Sequence, residues 1–170
     1  MRHLILFCLL AAGMALAAES SSPVQDFYSK VAVAGLAEVE AGKLAQRKGS
    51  SRGVREFGSM MVADHGAANA KLKSLAARKN VKLPEQPDAE HQKARAELEA
   101  ANGPAFDAAY IKNQVAGHEA VEALLKKEIE SGKDADARAF AREILPTVSE
   151  HLKTARELAS PNRQAAPGGR

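Results

Sequence analysis

The sequence predicts an all-α fold, four long helices packed as one bundle, and three observations lead there. The chain is rich in Ala, Leu, Glu and Lys and poor in β-branched runs, a helix-forming composition. Apolar residues recur at steps of three and four over four separate segments, the helical period. Ser-Pro, Gly-Ser-Ser, Asn-Gly-Pro and Ser-Gly punctuation marks where those segments begin and end.

The N-terminus comes first. Arg2 and His3 are followed by an uncharged apolar run, Leu4 to Leu16, and by Ala15-Leu16-Ala17, a small-x-small cleavage signal. Residues 1–17 therefore read as a secretory signal peptide, too short for a membrane span. The expected product is an exported protein, periplasmic or envelope-associated. Cys8, the only cysteine, lies in the removed run, which leaves neither disulfides nor thiolate ligands.

Ser22 as cap and Pro23 at the first position open the first helix, expected over about 23–47. Gly49-Ser50-Ser51 breaks it, and Ser50 or Ser51 caps a second helix over about 52–79. A long connection follows, carrying a short charged helix at about 87–101. Asn102-Gly103-Pro104 starts the third long helix, about 104–131, and Ser131-Gly132 ends it. The fourth covers about 134–159 and stops at Ser160-Pro161. The domain thus spans 18–160, and 161–170, with Pro167-Gly168-Gly169, reads as a disordered tail.

Connection lengths carry topology. Short links make the first and second helices, and the third and fourth, antiparallel hairpins. One long crossover between two hairpins, here with a short extra helix, is the ferritin-like arrangement. A short internal similarity agrees with paired hairpins: Val33 to Glu40 resembles Val115 to Glu122, and Asp64-His65 resembles Glu150-His151.

Charge excludes some functions. Removing Arg2 leaves 23 basic against 21 acidic residues, no electrostatic footprint for nucleic acid. No later apolar run is long enough to cross a bilayer. There is no Gly-rich phosphate loop, no His-Glu-x-x-His and no complete catalytic motif.

The inward faces carry the chemistry. The second helix presents Val54, Phe57, Met61, His65, Ala68, Leu72 and Leu75. The third presents Ile111, Val115, His118, Glu122, Leu125 and Ile129, and the fourth Phe140, Ile144, Val148, His151, Ala155 and Leu158. On the first, Val33, Leu36, Glu40 and Leu44 put a glutamate between leucines. Every long helix therefore turns a histidine or carboxylate to the core, where such groups need partners. Glu40, His65, His118, Glu122 and His151 are the candidate metal ligands, with zinc, iron, manganese or copper all compatible. Asp64, Tyr110, Gln114 and Glu150 are candidates for the surrounding shell. The alternative is a polar network in which the histidines bond carboxylates and backbone and fix helix register. Asp64 and Glu150 lie about 100° around the helix from the histidines they precede, which suits pairing with a neighbouring helix or solvent. Pro146 is expected to kink the fourth helix.

Several motifs are similar to one known family. Glu38-Val39-Glu40-Ala41-Gly42-Lys43-Leu44-Ala45, Phe57 to His65, Phe106 to Tyr110, Gln114 to His118 and Leu145 to Leu152 resemble the domain-of-unknown-function 4142 family, in order and across about 24–158. The resemblance implies an exported bacterial protein with a ferritin-like fold and no assigned activity. Metal-active ferritin-like proteins carry Glu-x-x-His on two helices, whereas Val62 and Val148 stand three residues before His65 and His151. Three functions remain in view: an envelope bundle serving stress or interaction, with an envelope protein partner; a metal-binding protein or oxidoreductase with a variant histidine–carboxylate site; and a peripheral envelope interaction module that uses the charged 87–101 helix.

Overall fold

The structure, a computed structural model, describes residues 22–160; the expected signal peptide and tail lie outside the described residues. Five helices are present: α1 Pro23–Lys48, α2 Arg52–Arg78, α3 Ala89–Ala100, α4 Gly103–Ser131 and α5 Ala135–Ala159. Among the described residues there is no strand.

Local chemistry sets the helix starts. Oγ of Ser22 accepts from the Gln25 backbone N–H, Oγ of Ser51 from Val54, and carboxylates of Asp88 and Asp134 from His91 and Ala137. Each satisfies a donor that a helix N-terminus leaves open. Pro23 stands at the first position of α1, where its missing N–H is harmless. Gly103, at φ +56°, makes the left-handed turn into α4 that a residue with a Cβ resists. Pro146 is accommodated inside a continuous α5.

The helices form two hairpins, α1–α2 and α4–α5, with α1 also against α4 and α2 against α5. The amide of Gln25, at the start of α1, donates to the Lys82 carbonyl just after α2. Asp107, near the start of α4, accepts from the backbone N–H groups of Ser50 and Ser51 in the α1–α2 turn, both at 2.8 Å. Residues 79–102 therefore return along the bundle, past a helix of 26 residues that is roughly 39 Å long at 1.5 Å per residue. This is the ferritin-like crossover. Its α3 covers α1 and α4 and buries Leu98.

The face of α1 differs from the sequence expectation. Its buried stripe is Val31, Gly35, Gly42 and Ala45, with Glu38 on the same line, rather than Val33, Leu36 and Glu40. Of the expected stripe only Leu44 is buried; Val33 and Glu40 each stand two residues, about 200° of helix, from Val31 and Glu38. The cause is close packing against α2: a Cβ on Gly42 would stand 2.7 Å from the Gly58 carbonyl oxygen, and one on Gly58 2.7 Å from the Ala45 Cβ. Small residues let the two backbones approach. Val33 and Leu36 instead pack on the side that the crossover partly covers.

The apolar core falls into two clusters. One holds Phe27, Tyr28, Val31, Leu72, Leu125, Phe140 and Val148. The other holds Leu44, Phe57, Met61, Phe106, Tyr110 and Ile111. Along α2, α4 and α5, the residues that separate them are histidines.

Candidate metal centre

His65 comes from α2, His118 from α4 and His151 from α5, and their ring centroids are 5.4 Å apart in all three pairings. One ring nitrogen from each lies within 4.8 Å of the other two. His118 and His151 are 1% and 2% exposed, and His65 is partly buried.

Hydrogen bonds fix the tautomers of two rings. Nδ1 of His118 is 2.9 Å from the Gln114 carbonyl oxygen. A carbonyl only accepts, so Nδ1 carries the proton and Nε2 the lone pair. Nε2 of His118 lies 3.4 Å from Nε2 of His65. That is long for a hydrogen bond and close to the edge, about 3.3 Å, between two nitrogens of a tetrahedral site with 2.0–2.1 Å bonds. Nε2 of His151 is 2.9 Å from Oδ2 of Asp64. The carboxylate accepts from Nε2–H, so Nε2 carries the proton and Nδ1 the lone pair. That Nδ1 is buried without a hydrogen-bond partner.

The surroundings favour the neutral form of His65 and His151. Burial pushes the His65 pKa down to about 3, and the neighbouring His118 and His151 rings add to the effect. Burial also lowers His151, with Asp64 opposing. A neutral imidazole is the form that binds a metal.

The predicted ligands divide. His65, His118 and His151 come together; Glu40 and Glu122 do not join them. The Glu40 carboxylate is 3.4 Å from Arg95 of α3 at the surface, because two residues' rotation puts it opposite the α1 core stripe. Glu122 follows His118 by one turn, but its carboxylate accepts from Ser149 Oγ at 2.7 Å and pairs with Lys126 at 3.2 Å. Of the surrounding residues, Asp64 reaches across to His151, a neighbouring helix as its rotation implied. Gln114 supplies the carbonyl to His118 and donates its side-chain amide to Glu38 at 2.6 Å. Tyr110 is fully buried, with its ring stacked on Phe106 at 6.0 Å, and its hydroxyl has no partner. Glu150 turns outward and pairs with Lys153 on its own helix.

The carboxylate that the sequence reading missed is Glu38. Its side chain is 12% exposed and one oxygen lies 3.8 Å from Nδ1 of His118. Burial raises its pKa, while His118 and the Gln114 amide pull it back. The spacing 31, 35, 38, 42, 45 of Val, Gly, Glu, Gly and Ala was the available signal. It is easily overlooked, because small residues count little towards an apolar face.

With the geometry in view, the comparisons define the family. The profile of a domain of unknown function, DUF4142, matches residues 10–158. The chain belongs to the DUF4142 family. This DUF4142 chain is also similar to a solved structure described as a DUF305 fragment from Deinococcus radiodurans. The TM-score is 0.71 and the identity 12%, covering 81% of this chain and 96% of that one. At that identity the likeness concerns the helical-bundle fold. Among curated proteins none matches. No helix of the described residues is long and apolar enough to cross a membrane.

Proposed function

We propose that this DUF4142 chain is an exported metal-binding protein that holds one zinc or copper ion on His65, His118 and His151. The observation that carries the reading is the convergence of three imidazoles from three helices, with ligand nitrogens within 4.8 Å of one another. His118, whose Nε2 faces His65, has its other nitrogen committed to the Gln114 carbonyl, and His151 has Nε2 committed to Asp64 and Nδ1 buried without a hydrogen-bond partner. Outer hydrogen bonds of this kind orient imidazole ligands and raise their basicity. Three histidines with further coordination positions open form a donor set suited to zinc and copper. The nearby carboxylates of Asp64 and Glu38 are engaged with imidazole and amide groups, which favours those metals over iron or manganese. Export rests on the basic start, apolar run and Ala-Leu-Ala signal at the N-terminus.

The test is elemental analysis of mature protein purified without an affinity tag, with His65→Ala and His118→Ala alongside. Near-stoichiometric zinc or copper that is lost in both variants while helical circular dichroism persists supports the reading. Absence of metal after aerobic and anaerobic loading, with variants that lose only stability, overturns it. The histidines would then serve as a network that sets helix register.

A further inference from the structure

The histidine layer is closed on one side and open on the other. His118 is 1% exposed, and beyond it stand the Gln114 carbonyl and the Glu38 carboxylate. His65 and His151, with Asp64, line a cleft of about 360 Å³ between α2 and α5. Small residues, Ala34, Gly35, Ala67 and Ala68, are among those that border the cleft. Val31 and Val148 also line it, and Leu72 on one side and Phe57 and Met61 on the other fill the adjoining core.

We infer that this cleft is the route by which a small anion reaches an open coordination position of the metal, an inference that rests on the metal-binding reading. Three points set the class of ligand. At about 30 Å³ per water, the space of about 360 Å³ holds roughly a dozen waters, so a ligand of a few atoms enters freely. Three neutral imidazoles leave the charge of a divalent ion without an anionic ligand, and a bound ion is the largest local charge in such a site. At the border of the cleft Lys71 of α2 pairs with Glu143 of α5, and the Asp64 carboxylate, which accepts from His151, offsets only one of the two charges of a divalent ion, so the loaded site keeps a net positive charge for a monovalent anion.

Azide binding to the Cu(II)-loaded full mature chain, followed by the charge-transfer absorption of the copper–azide pair, tests the inference. Ala67 and Thr147 border the cleft from α2 and α5 and are exposed, so Ala67→Trp and Thr147→Trp narrow it without entering the core. The wild type is expected to bind azide saturably. The tryptophan variants are expected to bind it at least tenfold more weakly while keeping the same copper content. Either variant alone decides the matter if the other does not fold. Copper-loaded wild type that does not respond to azide overturns the inference and leaves metal binding intact. So does unchanged azide affinity in the variants, or loss of copper from both, which would make these residues supports of the ligands. Failure of the wild type to hold copper or zinc at all, read separately by elemental analysis, is the result that removes the metal-binding reading and this inference with it.

Discussion

Oδ2 of Asp64 on α2 accepts the Nε2–H of His151 on α5 at 2.9 Å, which leaves the His151 lone pair on a buried Nδ1 that bonds no other protein group. One hydrogen bond thus joins two helices and aims a ligand. Replacing Asp64 by Ala is expected to weaken zinc or copper binding about 10- to 100-fold, the usual cost of losing such an outer partner. Asp64→Asn, whose amide oxygen can still accept, is expected to retain most of the affinity. Competition against a chromogenic chelator measures both. Equal affinity in Asp64→Ala and wild type would show that the bond does not orient the ligand.

The metal-free protein is expected to lose stability in mild acid. The folded pKa of His65 is depressed to about 3, burial first and the other two rings second, whereas the unfolded chain titrates near 6.5. Between those values the unfolded state binds the extra proton. Stability is therefore complete above about pH 6.5 and declines as pH falls towards 3, with a slope approaching 1.4 kcal/mol per pH unit for one such group. His151, also depressed, steepens the decline. Urea denaturation of chelator-treated protein at a series of pH values reads the slope, and His65→Gln should flatten it.

Glu38 acts in the opposite sense. Its folded pKa is raised, chiefly by burial, so the folded state holds a proton that the unfolded chain releases. Its protonated form favours folding at low pH, and that contribution is lost as pH rises from the ordinary carboxylate range through the raised value. Glu38→Gln keeps an acceptor for the Gln114 amide and removes the buried charge, so it is expected to raise Tm at pH 7. The difference should shrink below about pH 4. Thermal melts at the two pH values check the sign; a lower Tm at pH 7 would mean that the ionised carboxylate stabilises the fold through His118.

Two glycines in similar helical settings are expected to respond oppositely to alanine. A Cβ on Gly42 would meet the Gly58 carbonyl oxygen at 2.7 Å and Val62 at 3.0 Å, so α1 and α2 must move apart. Gly42→Ala should cost about 1–3 kcal/mol, as overpacking does. A Cβ on Gly66 meets nothing within 4 Å, and Gly66→Ala should stabilise by about 0.5–1 kcal/mol through helix propensity. Chemical denaturation of both variants distinguishes them.

Much of the fold was legible because its signals are local. Ser22-Pro23, Ser51 and Gly103-Pro104 act on backbone within four residues of themselves, and the observed helix ends fall within two residues of expectation. The stripes through His65, His118 and His151 were legible because large apolar residues flank each histidine. The stripe on α1 was not, since Gly35, Gly42 and Gly58 contribute by absence of side chain. Asp107, which holds the α1–α2 turn onto α4 through Ser50 and Ser51, carries no sequence mark of that role, because its partners are more than fifty residues away.

By itself the sequence determined the helices, their order, the hairpins with one long crossover, and three histidines on core faces, since periodicity, caps and link lengths are properties of short stretches of chain. Only the tertiary structure decided that the three histidines share one layer, that Glu38 rather than Glu40 or Glu122 stands beside them, and that Asp64 reaches His151. Those outcomes depend on the rotation and axial offset of each helix, which are set by how closely neighbouring backbones pack.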